Sequence, residues 1–285
     1  MILVTGAAGK TGQAVLRTLK ALGPTTRALV RRAEYRPAVL VAGASEVVLG
    51  DLRDPEAVRQ ALQGIRAIYH ICPNVSPDEV EIGEIVLRAA VREGVEHFVF
   101  HSVLHPQTEA MPHHWRKLRV EERIFESGLP FTILQPAAYF QNLLAQRQSV
   151  IQEGVFAVPY DLPTCVSMVD LEDVAQVASR VLTEDGHRGA TYELCSPQLL
   201  DQEEAAGILA AATGREVVAK SIPREVWRRE AQGSGLDEER LETLLAMFQY
   251  YERHGLVGNG NALRWLLGRE PTDLMSWARR SFNPA

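Results

Sequence analysis

The stretch Met1-Ile-Leu-Val-Thr-Gly6-Ala-Ala-Gly9-Lys-Thr-Gly12 decides how this chain folds. A short, partly β-branched apolar run stops at Gly6, and two more glycines follow at intervals of three. An apolar pattern of helical period then begins, carried by Ala14, Val15, Leu16, Leu19 and Leu22. The order strand, tight turn, helix gives each glycine a task. Gly6 permits the turn, Gly9 lets a diphosphate approach the backbone, and Gly12 lets the helix pack against the strand. Free N–H groups at the helix start would then hold the phosphates. Glycines in a βα turn can also be purely structural, so the ends of the other strands have to be read as well.

The same alternation runs through the first half. Strands are expected at 2–5, 26–30, 45–49, 67–71, 97–101 and 131–135, with helices at 12–22, 36–42, 55–62, 77–93 and 114–127. The strands are apolar on both sides, as Phe98-Val99-Phe100 shows, which predicts an α/β fold with a parallel sheet covered on both faces. Beyond Gln135 the pattern predicts helices at 139–152, 170–182, 201–213 and 236–251, with short strands at 166–169, 192–195 and 217–221. The stripe Leu241, Leu244, Leu245, Phe248 and Tyr251 in the last of these helices reads as core packing. Residues 1–150, with a returning segment about 164–196, are expected to form the nucleotide-binding part. Residues 197–285, interwoven with 136–163, are expected to form a smaller cap.

Composition narrows the function. The chain has 285 residues, 46% hydrophobic and 23% charged, enough for a large core. A net charge of −6 argues against a general nucleic-acid binder. Cys72, Cys165 and Cys195 are odd in number and far apart, so neither a disulfide framework nor a zinc spacing is expected. That usage fits a reducing cytoplasm. The apolar run ends too early at Gly6 for a signal peptide. No apolar stretch reaches the roughly 18 residues of a membrane span.

Ligands of such sheets sit at the carboxyl ends of the strands, near the switch in strand order. The second strand is followed by Arg31-Arg32, where an NAD site usually places an acid. A guanidinium would grip a 2′-phosphate, so NADP(H) is expected over NAD(H), with Arg31 nearest the strand. After the third strand, Asp51 and Leu52 could border an adenine, unless Asp51 or Asp54 merely caps the next helix. The fourth strand runs into Ile71-Cys72-Pro73, where a nicotinamide ribose could lie close to the backbone. No basic residue adjoins Cys72, so a buried, inert thiol is the expectation. After the fifth strand come His101-Ser102 and then His113-His114-Trp115-Arg116-Lys117, opening a helix. Lys117 could hold ribose hydroxyls and lower a neighbour's pKa, and His113 or His114 could supply a proton near pH 7. Glu121 and Glu122 read as surface charges continuing this helix. The histidine spacing matches no strong metal pattern, and no metal is expected.

Taken in order, these stations resemble the NmrA-like branch of the atypical short-chain dehydrogenase/reductases. The marks are Gly6-x-x-Gly9-x-x-Gly12, Arg31, Gly50-Asp51-Leu52 and Lys117-Leu-Arg-Val-Glu121-Glu122. Thr132-Ile-Leu-Gln-Pro136, Tyr139-Phe140-x-Asn142, the segment 166–175 and Thr213-Gly214-Arg215 complete the set. The resemblance implies a Rossmann-type, doubly wound domain binding NADP(H), with a substrate cleft roofed by a smaller α+β C-terminal cap. Gly6, Ala8, Gly9, Lys10, Thr11 and Gly12 would form the phosphate turn. Arg31, Asp51 and Leu52 would take the adenosine half, while Ile71, Cys72, Pro73, Ser102, Lys117 and Pro136 would border the nicotinamide half. Tyr139, Phe140 and Asn142 would face the substrate.

One departure matters. Ordinary short-chain dehydrogenases carry Tyr-x-x-x-Lys, whereas this chain has His113-x-x-x-Lys117. That branch often lacks the tyrosine. It includes reductases of quinones, azo dyes and related electrophiles, and also non-catalytic NADP(H) sensors of regulatory type. The expectation is therefore an NADPH-dependent oxidoreductase acting on a small apolar conjugated electrophile, with Lys117, His113 and His114 as candidate catalytic residues. The alternative is a redox sensor. A homodimer is the assembly to test, and neither a direct nucleic-acid partner nor a membrane is expected.

Overall fold

The computed structural model describes residues 1–282; the last three residues of the expected cap, 283–285, lie outside the described residues. Strand β1 (Ile2–Val4) lies between β2 (Thr26–Val30) and β4 (Ala67–His70), parallel to both. Beyond β2 lies β3 (Glu46–Leu49), and beyond β4 lie β5 (His97–His101) and β6 (Phe131–Pro136), again parallel. With β10 (Ala190–Leu194) beside β6, the sheet has seven strands in the order β10-β6-β5-β4-β1-β2-β3. Strand order reverses between β1 and β4, the place where α/β sheets open a ligand crevice.

Helices α1 (Lys10–Leu22), α2 (Arg36–Ala42), α3 (Pro55–Leu62), α4 (Glu79–Arg92) and α5 (Pro112–Glu126) supply the crossovers. Asp54 starts α3 by accepting from the Glu56 amide at 2.9 Å, with Pro55 in the first turn. The core joins Leu3, Ile68, Phe98, Phe100 and Ile133 of the strands to Ile82, Val86, Val120 and Ile124 of α4 and α5. Gly83 makes this fit possible, since a Cβ there would stand 2.8 Å from Val120.

The chain divides into two compact units. The first holds Met1–Gln107, His114–Gln135 and Val174–Tyr192. The second holds Thr108–His113, Pro136–Asp173 and the described residues from Glu193 onward. In the second, β7 (Ala138–Tyr139) pairs with β9 (Met168–Val169), and β8 (Val155–Val158) pairs with β11 (Val218–Ser221). Helix α6 (Leu171–Thr183) follows β9. Then come α7 (Gln202–Thr213), α8 (Arg224–Gly233), α9 (Glu238–His254), α10 (Asn261–Leu267) and α11 (Leu274–Phe282). Phe140, Phe156, Leu209, Trp277 and Phe282 fill the core of this unit. Among the described residues, no helix is long and apolar enough to cross a membrane.

The helix expected at 139–152 does not form. Tyr139 is extended in β7, Phe140–Gln146 is a 3₁₀ segment, and Ser149–Glu153 is a π-turn. Tertiary hydrogen bonds take over this stretch. Gln141 donates to Asp170 at 2.7 Å and accepts from the Leu171 amide at 3.1 Å. Gln146 accepts from the Ala157 amide at 2.7 Å, and Arg147 donates to the Phe282 carbonyl at 3.2 Å. Such bonds outweigh the small helix propensity of a short segment. The strand expected at 166–169 shortens to β9, and Val166 makes an isolated bridge to Leu256.

Trp277 is 1% exposed, with the Phe140 and Phe282 rings 5.7 and 5.8 Å away. Trp277→Ala should cost about 3–5 kcal/mol of stability in urea unfolding, the usual penalty for emptying an aromatic core site. A loss under about 1 kcal/mol would contradict this packing.

Candidate functional site

Gly6 leaves β1 with φ +56°, a conformation that side chains rarely adopt, and a Cβ there would meet Ile71 Cβ and O at 3.0 Å. Just before it, Thr5 Oγ1 accepts from the Ile71 amide at 2.8 Å and donates to the Ile71 carbonyl at 3.0 Å. The ends of β1 and β4 are thereby locked together. The Gly9 amide donates to the Gly6 carbonyl at 3.0 Å, and Gln13 donates to the Ala8 carbonyl at 2.8 Å. At Gly12 a Cβ would stand 2.6 Å from Ala7 Cα and Gly6 O, so only glycine lets α1 come this close. Gly9 caps α1 without a side-chain bond, and no acid lies in the first turn. The turn thus presents a helix N-terminus suited to an anion, with Lys10 exposed and Thr11 buried beside it.

Beside this turn, Arg31 is exposed after β2 and makes no hydrogen bond or ion pair among the described residues. Arg32, in contrast, bonds the Tyr35 hydroxyl and pairs with Glu34 at 3.2 Å. Asp51 accepts from the Arg53 side chain at 3.1 and 2.8 Å and from the Arg53 amide at 2.9 Å, and these bonds hold its carboxyl down at about 2, with Arg31 contributing a smaller charge effect. The capping role that competed for Asp51 falls to Asp54 instead. Leu52 is buried. Ile71 and Cys72 are buried and Pro73 is exposed. Burial pushes the Cys72 thiol well above its ordinary range, so it stays protonated and unreactive.

At the next strand end, charge is buried. Lys117 is 5% exposed, and its Nζ donates to Glu79 Oε1 at 2.9 Å and to the His101 carbonyl at 3.0 Å. The ammonium also stands 5.1 Å from the centre of the Phe100 ring. Ser102 donates to Glu121, and Gln135 Nε2 reaches both Glu121 oxygens at 3.0 Å. Burial raises the Glu121 carboxyl against those bonds. Glu121 is therefore not the surface charge that the sequence suggested: it stands four residues after Lys117, on the helix face that turns toward the sheet. That spacing was the available signal for it. Glu79 and Gln135 carried no comparable signal.

The histidines are dry. Burial, with Lys117 adding a smaller charge effect, takes His70 and His101 down to about 3 and His114 down to about 4. His101 Nδ1 lies 2.6 Å from the Tyr69 hydroxyl, and His114 Nδ1 lies 3.3 Å from the His105 carbonyl. His114 is thus neutral at pH 7, which removes the imidazolium proton that the sequence reading assigned to it. His113 is also buried. In the second unit, Pro136 ends β6, Tyr139 is half-buried and Asn142 is exposed. Phe140 belongs to the core and has almost no surface to offer a substrate. No cluster of three or more His, Cys, Asp or Glu among the described residues is arranged for a metal.

Residues 1–282 match the family model described as the NmrA-like family. An NAD(P)H azoreductase of Xenophilus azovorans is 31% identical over 280 residues, 98% of this chain and 97% of that protein. The crystal structure of an NADPH-dependent quinone oxidoreductase of Escherichia coli, complexed with NADPH, matches with TM-score 0.88 at 26% identity, covering 99% of this chain and 100% of that one. A Citrobacter sp. triphenylmethane reductase complexed with NADP(H) matches with TM-score 0.85 at 26% identity, covering 99% and 100%.

The neutral histidines make stability depend on pH. His70, His97, His101 and His114 are all lowered from 6.5, chiefly by burial. As pH falls below 6.5 the unfolded chain takes up their protons first, so the native state loses ground. Stability should drop between about pH 6.5 and pH 4, each buried imidazole contributing up to about 1.4 kcal/mol per pH unit. Urea unfolding at a series of pH values reads this slope, and constant stability over that window would contradict it.

Proposed function

The chain belongs to the NmrA-like family, and on that premise we propose that it is an NADPH-dependent reductase passing hydride to an apolar, conjugated acceptor such as a quinone or azo compound. The observation that carries the reading is the turn from Gly6 to Gly12. There the backbone approaches so closely that a Cβ at Gly12 would overlap Gly6 and Ala7, and the helix start has no side-chain cap. Those features suit a diphosphate, and the relatives described above support the choice of chemistry.

The residues fit the cofactor along its length. Amides from Lys10 to Gly12 would hold the diphosphate, with the Lys10 side chain adding a cation. Arg31 would take the 2′-phosphate, since Arg32 is already engaged by Tyr35 and Glu34. Leu52 would pack on the adenine, beside an ionised Asp51. Lys117 would hold the nicotinamide ribose, close to Ile71, Cys72 and Pro73. When bound, the reduced nicotinamide supplies the hydride.

Positioning is the main contribution of this chain to the rate. An acceptor that takes its proton from water needs no tyrosine acid, which fits the His113-x-x-x-Lys117 arrangement. Of the two histidines, His113 is the remaining candidate donor, because His114 is neutral at pH 7. Tyr139 and Asn142, which keep exposed surface, are the substrate-side candidates.

Purified protein should oxidise NADPH with some members of a panel of quinones and azo dyes, and a Gly9→Trp variant should not. If the wild type binds NADPH yet turns over none of them, the reductase reading fails and the sensor reading takes its place. Arg31→Ala should weaken NADPH about 10- to 150-fold, the loss of one charge-assisted contact of about 1.5–3 kcal/mol. NADH binding should barely change, and equal losses for both would contradict the 2′-phosphate role.

A further inference from the structure

Glu79 opens α4 and is 0% exposed. A carboxylate without solvent is costly unless a partner compensates it. Its Oε1 accepts from Lys117, while Oε2 makes no hydrogen bond among the described residues. Lys117 is also buried, at 5% exposure. An ammonium carries three N–H donors, and Glu79 and the His101 carbonyl take two of them.

Other ionisable groups feel the Lys117 charge: His70, Cys72, His101, His114 and Glu121. The three histidines are neutral at pH 7, and Cys72 stays a thiol. Glu121 is turned to Ser102 and Gln135. Glu79 is therefore the countercharge in direct contact with Lys117.

We propose that Glu79 is a positioning residue for the cofactor: it confines the Lys117 ammonium to the end of β5, leaving one N–H for the nicotinamide ribose. This rests on the reading that Lys117 holds that ribose. Without the carboxylate the lysine loses its fixed aim, because a buried cation with no counter-ion is unfavourable and turns toward other partners. The Cys72 thiol, on the ribose side of the proposed path, lies near enough to the Glu79 carboxylate to feel its charge.

The test compares NADPH with 2′,5′-ADP, a fragment that lacks the nicotinamide ribose, by calorimetric titration of the full chain. Glu79→Gln should weaken NADPH about tenfold or more, the scale of one charge-assisted contact, and leave 2′,5′-ADP unchanged. Lys117→Met should do the same, and the double variant should be no worse than Lys117→Met alone, because the pair acts as one unit. A purely structural role for Glu79 would weaken both ligands alike, and that result overturns the proposal. If Lys117→Met weakens NADPH but Glu79→Gln does not, the role of Glu79 fails while the ribose reading stands. If Lys117→Met leaves NADPH unchanged, the ribose reading fails and takes this proposal with it. Should Glu79→Gln not fold, Glu79→Asp keeps the charge but shortens its reach. A selective loss for NADPH then supports the proposal, and wild-type binding of both ligands contradicts it.

Discussion

Strand β1 is hydrogen-bonded between β2 and β4, and its chain turns out of the sheet at Gly6 while Thr5 grips the backbone of Ile71. The rest of the candidate site hangs on that junction. Because Gly6 turns close against Ile71, where a Cβ would stand 3.0 Å from it, the turn is tight, and α1 starts at Lys10, a short loop after β1 ends at Val4. Because the neighbouring strands run parallel, their carboxyl ends reach the same edge of the sheet. Arg31, Asp51, Cys72 and Ser102 follow β2, β3, β4 and β5 in turn. A dinucleotide laid along that edge would meet a phosphate cradle, a guanidinium and a buried ammonium.

The same edge concentrates features that a merely stable protein would avoid. Lys117 and Glu79 are ionised side chains withdrawn from water, a pairing whose desolvation can cancel its attraction. Val75 and His105, the two non-glycine residues with left-handed backbone among those described, lie in the loops after β4 and β5. Each such residue costs about 1–3 kcal/mol unless its surroundings hold it. The histidines and thiol nearby are uncharged, so the Lys117 charge meets little competing charge in a dry setting, where a hydrogen bond to a ligand is stronger than in water. Cost and strain gathered at one place are what a preorganised site requires.

Much of the first unit was legible from the chain alone. Parallel strands buried on both faces announce themselves as apolar runs such as Phe98–Phe100, and the helices between them keep their own period. The glycine spacing was legible because it answers to a local requirement of the backbone, and Arg31 stands exposed after β2. Burial of a carboxylate is not a local property. Glu79 falls in the first turn of the helix expected at 77–93 with nothing in the sequence to single it out, and only the packing of α4 against β5 and α5 reveals its partner. Segment 139–152 failed for a related reason: its helix-forming glutamines are captured by Asp170, Leu171 and Ala157, which lie far along the chain. Helices α8, α10 and α11 were not read from the sequence, and the connection between the last two is placed by Asp173, buried at the start of α6, which holds Arg269 and Thr272 by tertiary bonds.

The most direct test of this account is a crystal structure of the protein with NADPH. The diphosphate should lie on the amides following Gly9, the 2′-phosphate against Arg31, and a nicotinamide ribose hydroxyl within about 3 Å of Lys117 Nζ, a normal hydrogen bond. A cofactor seated away from the Gly6–Gly12 turn, or one whose nicotinamide ribose leaves Lys117 bonded only to Glu79 and His101, would contradict it.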